Sequence, residues 1–223
     1  RAFSALGAGG GELPLFKLVA NLPYAVAATL VLDYFQRFPS MESATVMVQR
    51  EVADRMMAQP GTKAYGAYTV KLGFYASPAG RFPVGPANFF PQPRVDSAVI
   101  RLERRPCAVR SADGAEAQAG GGSARIADEI PCDDQAFSLQ ELQDACLMAD
   151  AAFASRRKTL ANSCRQFFAG RGSAGAAVAE RLPQIFEAAG IDPKRRGETL
   201  DRAEFMRLAR AYRRVVPDAG TVS

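Results

Sequence analysis

Asn21-Leu22-Pro23-Tyr24 brings together the groups that alkylation of an exocyclic amine requires. Such an amine attacks an alkyl donor when its nitrogen lone pair is aimed at the transferred carbon, and two acceptor oxygens on its hydrogens can hold it there. The Asn21 carboxamide oxygen and the Leu22 carbonyl can supply those acceptors. Pro23 stiffens the loop and adds no competing N–H, while Tyr24 offers a ring face for an unstacked base. The same four residues read equally well as a turn with Tyr24 packed beneath it. A second segment, Phe89-Phe90-Pro91-Gln92-Pro93-Arg94-Val95-Asp96-Ser97, sets aromatic rings ahead of two spaced prolines. That order makes a rigid loop able to hold another ring against a flipped base, or simply a proline-stiffened connection.

The elements that must position these residues follow from hydrophobic pattern. Leu15 to Ala20 is an apolar run that predicts a buried strand ending at Asn21, and open α/β sheets bind ligands at the carboxyl ends of their strands. Residues 25–38 have helical length and stop before Pro39, and Ala44 to Val48 supplies a second strand. Strand, helix, strand predicts a parallel sheet. Arg50 to Gln59 and Gly66 to Ala76 are helical candidates, and Ser97 to Glu103 alternates as an edge or late strand should. The order predicts the second half of a doubly wound α/β domain over residues 1–104.

From Arg104 to Gln135 the sequence turns small and polar around Gly120-Gly121-Gly122-Ser123, which predicts a flexible linker or insertion over residues 105–135. Beyond it Ser138 and Glu141 form a capping box that opens a helix to about Phe153. Further helices are predicted over residues 155–168, 175–189 and 201–214, so residues 136–223 should form an all-helical domain.

Composition narrows the chemistry. The 223 residues include no His and no Trp, which excludes a Ser-His-Asp triad, a Cys-His dyad and a His-ligated metal site built from this chain. Cys107, Cys132, Cys146 and Cys164 are widely spaced, which predicts reduced thiols in a cytoplasmic protein and no metal site. No apolar run reaches the length of a membrane span. Lys and Arg outnumber Asp and Glu by 28 to 23, and the excess is concentrated at Arg156-Arg157-Lys158 and Lys194-Arg195-Arg196. With Arg165 these residues are candidates for phosphate contact, against the alternative of a solvated helix face.

In this order, the two motifs resemble the rRNA adenine N6,N6-dimethyltransferase family of the KsgA type. The intervening Val48-Gln49-Arg50-Glu51-Val52-Ala53-Asp54-Arg55 and Lys63-Ala64-Tyr65-Gly66 are similar to that family's segments, and Phe89 to Ser97 resembles its F-x-P-x-P-x-V-D-S pattern. Ala152 to Leu160 and Gly190 to Glu198 resemble its C-terminal signatures. The resemblance implies a Rossmann-like methyltransferase domain beside a small helical RNA-binding domain, with S-adenosylmethionine as methyl donor and no metal. The implied substrate is a pair of adjacent adenines near the 3′ end of 16S rRNA in the immature small ribosomal subunit, and the implied state is a monomer. By the same resemblance Asn21 contacts the donor and orients the amine, Leu22 supplies a carbonyl, Pro23 shapes the loop, and Tyr24 and Phe89 sandwich the adenine.

The family's glycine-rich donor loop should precede Arg1, so the chain is expected to be N-terminally truncated and inactive alone. Gly7-Ala8-Gly9-Gly10-Gly11 follows no strand and leads into Glu12-Leu13-Pro14, which fits a flexible loop better than a cofactor cradle. Two alternatives stay open: a non-catalytic RNA-binding assembly factor, and a resistance-type methyltransferase acting on large-subunit rRNA.

Overall fold

Two adjacent parallel strands need a crossover between them, and here it is a helix. Phe16–Asn21 (β1) runs parallel to Met41–Gln49 (β2), with Ala27–Arg37 (α1) between them in sequence. The computed structural model describes residues 15–105, 109–110 and 137–217. The predicted glycine run, Cys107 and Cys132, and most of the predicted linker lie outside the described residues.

α1 buries Ala27, Val31 and Phe35, a stripe at four-residue spacing that packs on β2. Arg104 fixes its end. The guanidinium donates from Nε to the Met41 carbonyl (2.6 Å) and from Nη2 to the carbonyls of Phe35 (2.9 Å) and Phe38 (2.7 Å), covering the acceptors that a helix C-terminus leaves without partners.

The sheet is mixed, with strand order β1-β2-β4-β3, where β3 is Ala76–Val84 and β4 is Ser97–Arg104. The strand-helix-strand reading holds for β1 and β2, whereas β4 pairs antiparallel with both β2 and β3. β4 is therefore an interior strand rather than an edge. Ala98, Ile100 and Leu102 face Val48, Val46 and Ala44 across the ladder, and all six are fully buried. Sequence pattern gave no sign of β3. Its Pro78 and Pro83 cannot donate to a ladder, and they are tolerated because β3 pairs on one side alone.

The chain divides into two compact units, Arg1–Met57 with Tyr75–Arg105, and Ala58–Phe74 with Pro106–Ser223. The first holds the sheet, α1 and Arg50–Met56 (α2). The second holds Ala67–Tyr75 (α3) up to Phe74, a short parallel pair Val109–Arg110 (β5) and Phe137–Ser138 (β6), and the helices Leu139–Phe153 (α4), Leu160–Ala169 (α5), Gly172–Ala189 (α6) and Arg202–Val215 (α7). Residues 58–74 join the helices through named contacts. Lys71 pairs with Asp150 (2.6 Å), Arg202 donates to the Gly73 carbonyl (2.9 Å), and the buried Tyr65 hydroxyl donates to the Leu200 carbonyl (2.8 Å).

The predicted capping box is present: the Ser138 hydroxyl accepts from the Glu141 N–H (3.1 Å), and the Glu141 carboxylate accepts from the Ser138 N–H (2.8 Å). A second box, Asp201 with Glu204, opens α7. Residues 155–159, predicted as the start of a helix, form a turn instead, and α5 begins at Leu160.

Candidate active site and basic surface

Asn21 is the last residue of β1, and the two residues after it are fixed by backbone bonds. The Leu22 N–H donates to the Met47 carbonyl (3.3 Å), continuing the parallel ladder by one step. The Pro23 carbonyl accepts from the N–H groups of Val26 (3.1 Å) and Ala27 (3.0 Å), satisfying donors of the first turn of α1 where no side chain caps it. Two acceptors are left over. Among the described residues nothing donates to the Leu22 carbonyl, and the exposed Asn21 carboxamide has no hydrogen-bond partner.

The Tyr24 hydroxyl hydrogen-bonds with the Ser97 hydroxyl at 2.5 Å. Ser97 is fully buried at the start of β4, so this bond anchors one end of the Tyr24 ring. It also ties the two sequence motifs together, because Ser97 closes the segment that starts at Phe89. Arg50 holds the same strand entry: its N–H donates to the Asp96 carbonyl (2.9 Å) and its guanidinium pairs with the Asp96 carboxylate (2.6 Å).

Asn21, Leu22, Pro23, Tyr24, Phe89, Phe90, Pro91 and Pro93 line one open pocket of about 390 Å³. Its size falls within the range of small-ligand sites, and its walls pair aromatic faces with a few polar groups. All five predicted site residues of this unit are thus brought together. Phe90, which sequence reasoning passed over in favour of Phe89, lines the pocket as well and is wholly exposed, whereas Phe89 is half-buried.

In the helical unit the two basic runs become neighbours. The first N–H groups of α5 are covered by loop carbonyls, Leu160 by Arg195 (2.7 Å) and Ala161 by Pro193 (3.1 Å). Gly197 packs so closely on Ala152 that a Cβ there would lie 2.8 Å from the Ala152 carbonyl oxygen. A third segment joins them, since the Gly61 N–H donates to the Glu198 carbonyl (2.7 Å) and Arg156 donates to the carbonyls of Lys63 (2.8 Å) and Tyr65 (2.7 Å).

The seven predicted cations are not equivalent. Arg156 is committed to those carbonyls, and Arg195 to Glu204 (2.6 and 3.0 Å) and the Thr199 carbonyl (2.7 Å). The Arg195 contact holds the Glu204 carboxyl below the usual carboxylate range despite its partial burial. Arg196 lies 3.9 Å from Glu198. Arg157 and Lys194 are exposed and have no ion-pair partner among the described residues. Lys158, in the turn before α5, and Arg165 on α5 share one exposed surface with Asn162 and Gln166, donating to Gln166 (2.9 Å) and Asn162 (3.2 Å) respectively.

Burial pushes the Cys146 thiol up to about 11 and the Cys164 thiol up to about 12, so both are protonated at neutral pH. Among the described residues no group of three or more Cys, Asp or Glu is placed to hold a metal ion.

Residues 14–115 match the model of the family described as ribosomal RNA adenine dimethylase. Over those residues, just under half of the chain, it carries that family's signature. Its curated relatives include proteins named ribosomal RNA small subunit methyltransferase A from Corynebacterium jeikeium, 42% identical over 90% of this chain and 59% of the relative, and from Bifidobacterium longum strain NCC 2705, 41% identical over 88% and 54%. The chain spans little more than half the length of these relatives. A crystal structure of a dimethyladenosine transferase from Plasmodium falciparum shares the fold over 92% of this chain and 68% of its own, with a TM-score of 0.59 and 18% identity. The chain thus shares a Rossmann-like α/β fold with that structure, and no helix among the described residues is long and apolar enough to cross a membrane.

Proposed function

We propose that this chain takes part in S-adenosylmethionine-dependent dimethylation of two adjacent adenines near the 3′ end of small-subunit rRNA, acting in the cytoplasm on immature small subunits. The observation that carries this reading is the convergence on one aromatic pocket of an Asn21 carboxamide and a Leu22 carbonyl, neither with a partner among the described residues, and an anchored Tyr24 ring. S-adenosylmethionine supplies an electrophilic methyl group on a sulfonium sulfur. Asn21, exposed at the carboxyl end of β1, fits the side of the pocket where such a donor meets the amine.

The chain's own residues do the positioning. The Asn21 side-chain oxygen and the Leu22 carbonyl accept the two N–H bonds of the adenine amine and turn its lone pair out of conjugation with the ring. Tyr24 and Phe89 hold the flipped base by its faces, and the Pro23 and Pro91 rings narrow the space left for water. Holding the amine in line provides most of the acceleration, so no side chain has to act as a strong base.

Transfer of labelled methyl groups to unmethylated small subunits, by the chain extended upstream to the length of its relatives, tests this reading. Tyr24→Ala should lower incorporation about 10- to 100-fold, the loss that goes with one base–aromatic stack, while Tyr24→Phe, which keeps the ring, should retain most of it. Full activity in Tyr24→Ala would overturn the assignment, and incorporation into large-subunit rRNA instead would favour the resistance-type alternative.

The basic surface gives a separate expectation. With Arg157→Ala, binding to small-subunit rRNA should weaken and the slope of log affinity against log salt should fall by about one contact, with thermal stability unchanged. Arg156→Ala should instead destabilise the helical unit by about 1 to 2 kcal/mol, since it strips donors from the Lys63 and Tyr65 carbonyls. Salt titrations read beside melting curves separate the two.

A further inference from the structure

We propose that Phe90 is a second stacking platform, which takes the base next to the target adenine; the proposal rests on the base-pocket reading above. Phe90 is 102% exposed, yet its position is firmly set. The preceding turn at Pro86–Asn88 is closed by the Asn88 and Phe89 N–H groups on the carbonyls of Gly85 (3.2 Å) and Pro86 (3.1 Å), and the Asn88 side chain adds a bond to the Gly85 carbonyl (3.0 Å). Pro91 and Pro93 restrict the chain on the other side.

The backbone at Phe89 is extended (φ −124°, ψ 149°), and in an extended chain consecutive side chains diverge. Phe89 is accordingly half-buried in the pocket wall while Phe90 stands at its rim, and both line the same cavity. The other exposed large apolar side chains described in this unit, Val19 and Phe82 in the edge strands β1 and β3 together with Leu15, Phe16, Val26 and Val95, do not line it.

Extruding one base from a strand leaves the face of its neighbour without a stacking partner. An aromatic ring carried by a restricted backbone at the mouth of the base pocket supplies that partner, and it does so for any base because every base has a π face. Phe90 then favours RNA in which a stackable base follows directly on the target, and it belongs to the neighbour rather than to the methylated adenine.

Base deletion combined with mutation tests the assignment on the full chain, using a short RNA hairpin with two adjacent loop adenines and versions carrying an abasic site at either one. Phe90→Ala should weaken binding of the intact hairpin about tenfold, and Phe90→Trp should not. The Phe90→Ala loss should vanish with one abasic hairpin and the Tyr24→Ala loss with the other, each substitution coupling to its own base. If both losses vanish with the same abasic hairpin, Phe90 belongs to the target sandwich and the proposal is wrong. If Phe90→Ala binds normally while Tyr24→Ala does not, the proposal fails and the base-pocket reading stands; if neither substitution matters, or the hairpin is not bound, both fall together.

Discussion

Asn21→Ala should lower methyl transfer to small-subunit rRNA by about 10²- to 10³-fold, the range found when one preorganised hydrogen-bonding group is removed from a reacting centre. The carboxamide is exposed and has no hydrogen-bond partner among the described residues, and the ladder bonds that hold the end of β1 come from backbone. The substitution should therefore leave the melting temperature unchanged. RNA affinity should also change little, because the base is held mainly by ring faces, so the loss belongs in kcat rather than KM. Asn21→Asp keeps an acceptor oxygen in the same place and should recover part of the rate. If Asn21→Ala lost binding and rate together, the residue would be gripping the RNA rather than orienting the amine.

Gly175→Ala should be the most damaging single-methyl change in the helical unit, costing about 3 kcal/mol. Gly175 lies in the first turn of α6 where that helix crosses the end of α5, and a Cβ there would sit 2.2 Å from the Phe168 carbonyl oxygen and 2.8 Å from the Arg171 Cβ. The nearest obstacle is backbone, so no rotamer change relieves it, and α5 and α6 must move apart. Phe168 is fully buried and stacks with Tyr212 at 6.2 Å, so separation would also loosen the seat of α7. By the usual scaling of stability to melting temperature for a chain of this size, the transition should fall by about 10 °C. Gly73→Ala is the control: a Cβ there meets nothing within 4 Å, and its effect should be small or slightly stabilising. Equal melting temperatures for the two variants would show that the helices can give way at little cost.

Sequence alone determined those features in which a local rule and the global fold agree. The apolar stripe of α1 and its stop before Pro39, the Ser138–Glu141 capping box and the alternation of β4 each reflect a short-range pattern, and each element appears in the structure within a few residues of its expected bounds. The Asn21 to Tyr24 motif was legible for the same reason, since its acceptors and ring are consecutive and sit at a strand end.

The tertiary structure decided the rest. β3 was hidden because two prolines are poor strand formers, and they are tolerated here because neighbours on one side satisfy the ladder. No local pattern could show that Ser97 anchors Tyr24, 73 positions away, or that Phe90 rather than Phe89 is the exposed ring. Nor could charge in the sequence separate Arg156 and Arg195, which bind carbonyls and a carboxylate within the helical unit, from Arg157 and Lys194, which face solvent. Charge and residue type are fixed by the chain, but whether a guanidinium binds its own backbone or remains available to a phosphate depends on which acceptors folding brings within about 3 Å of it.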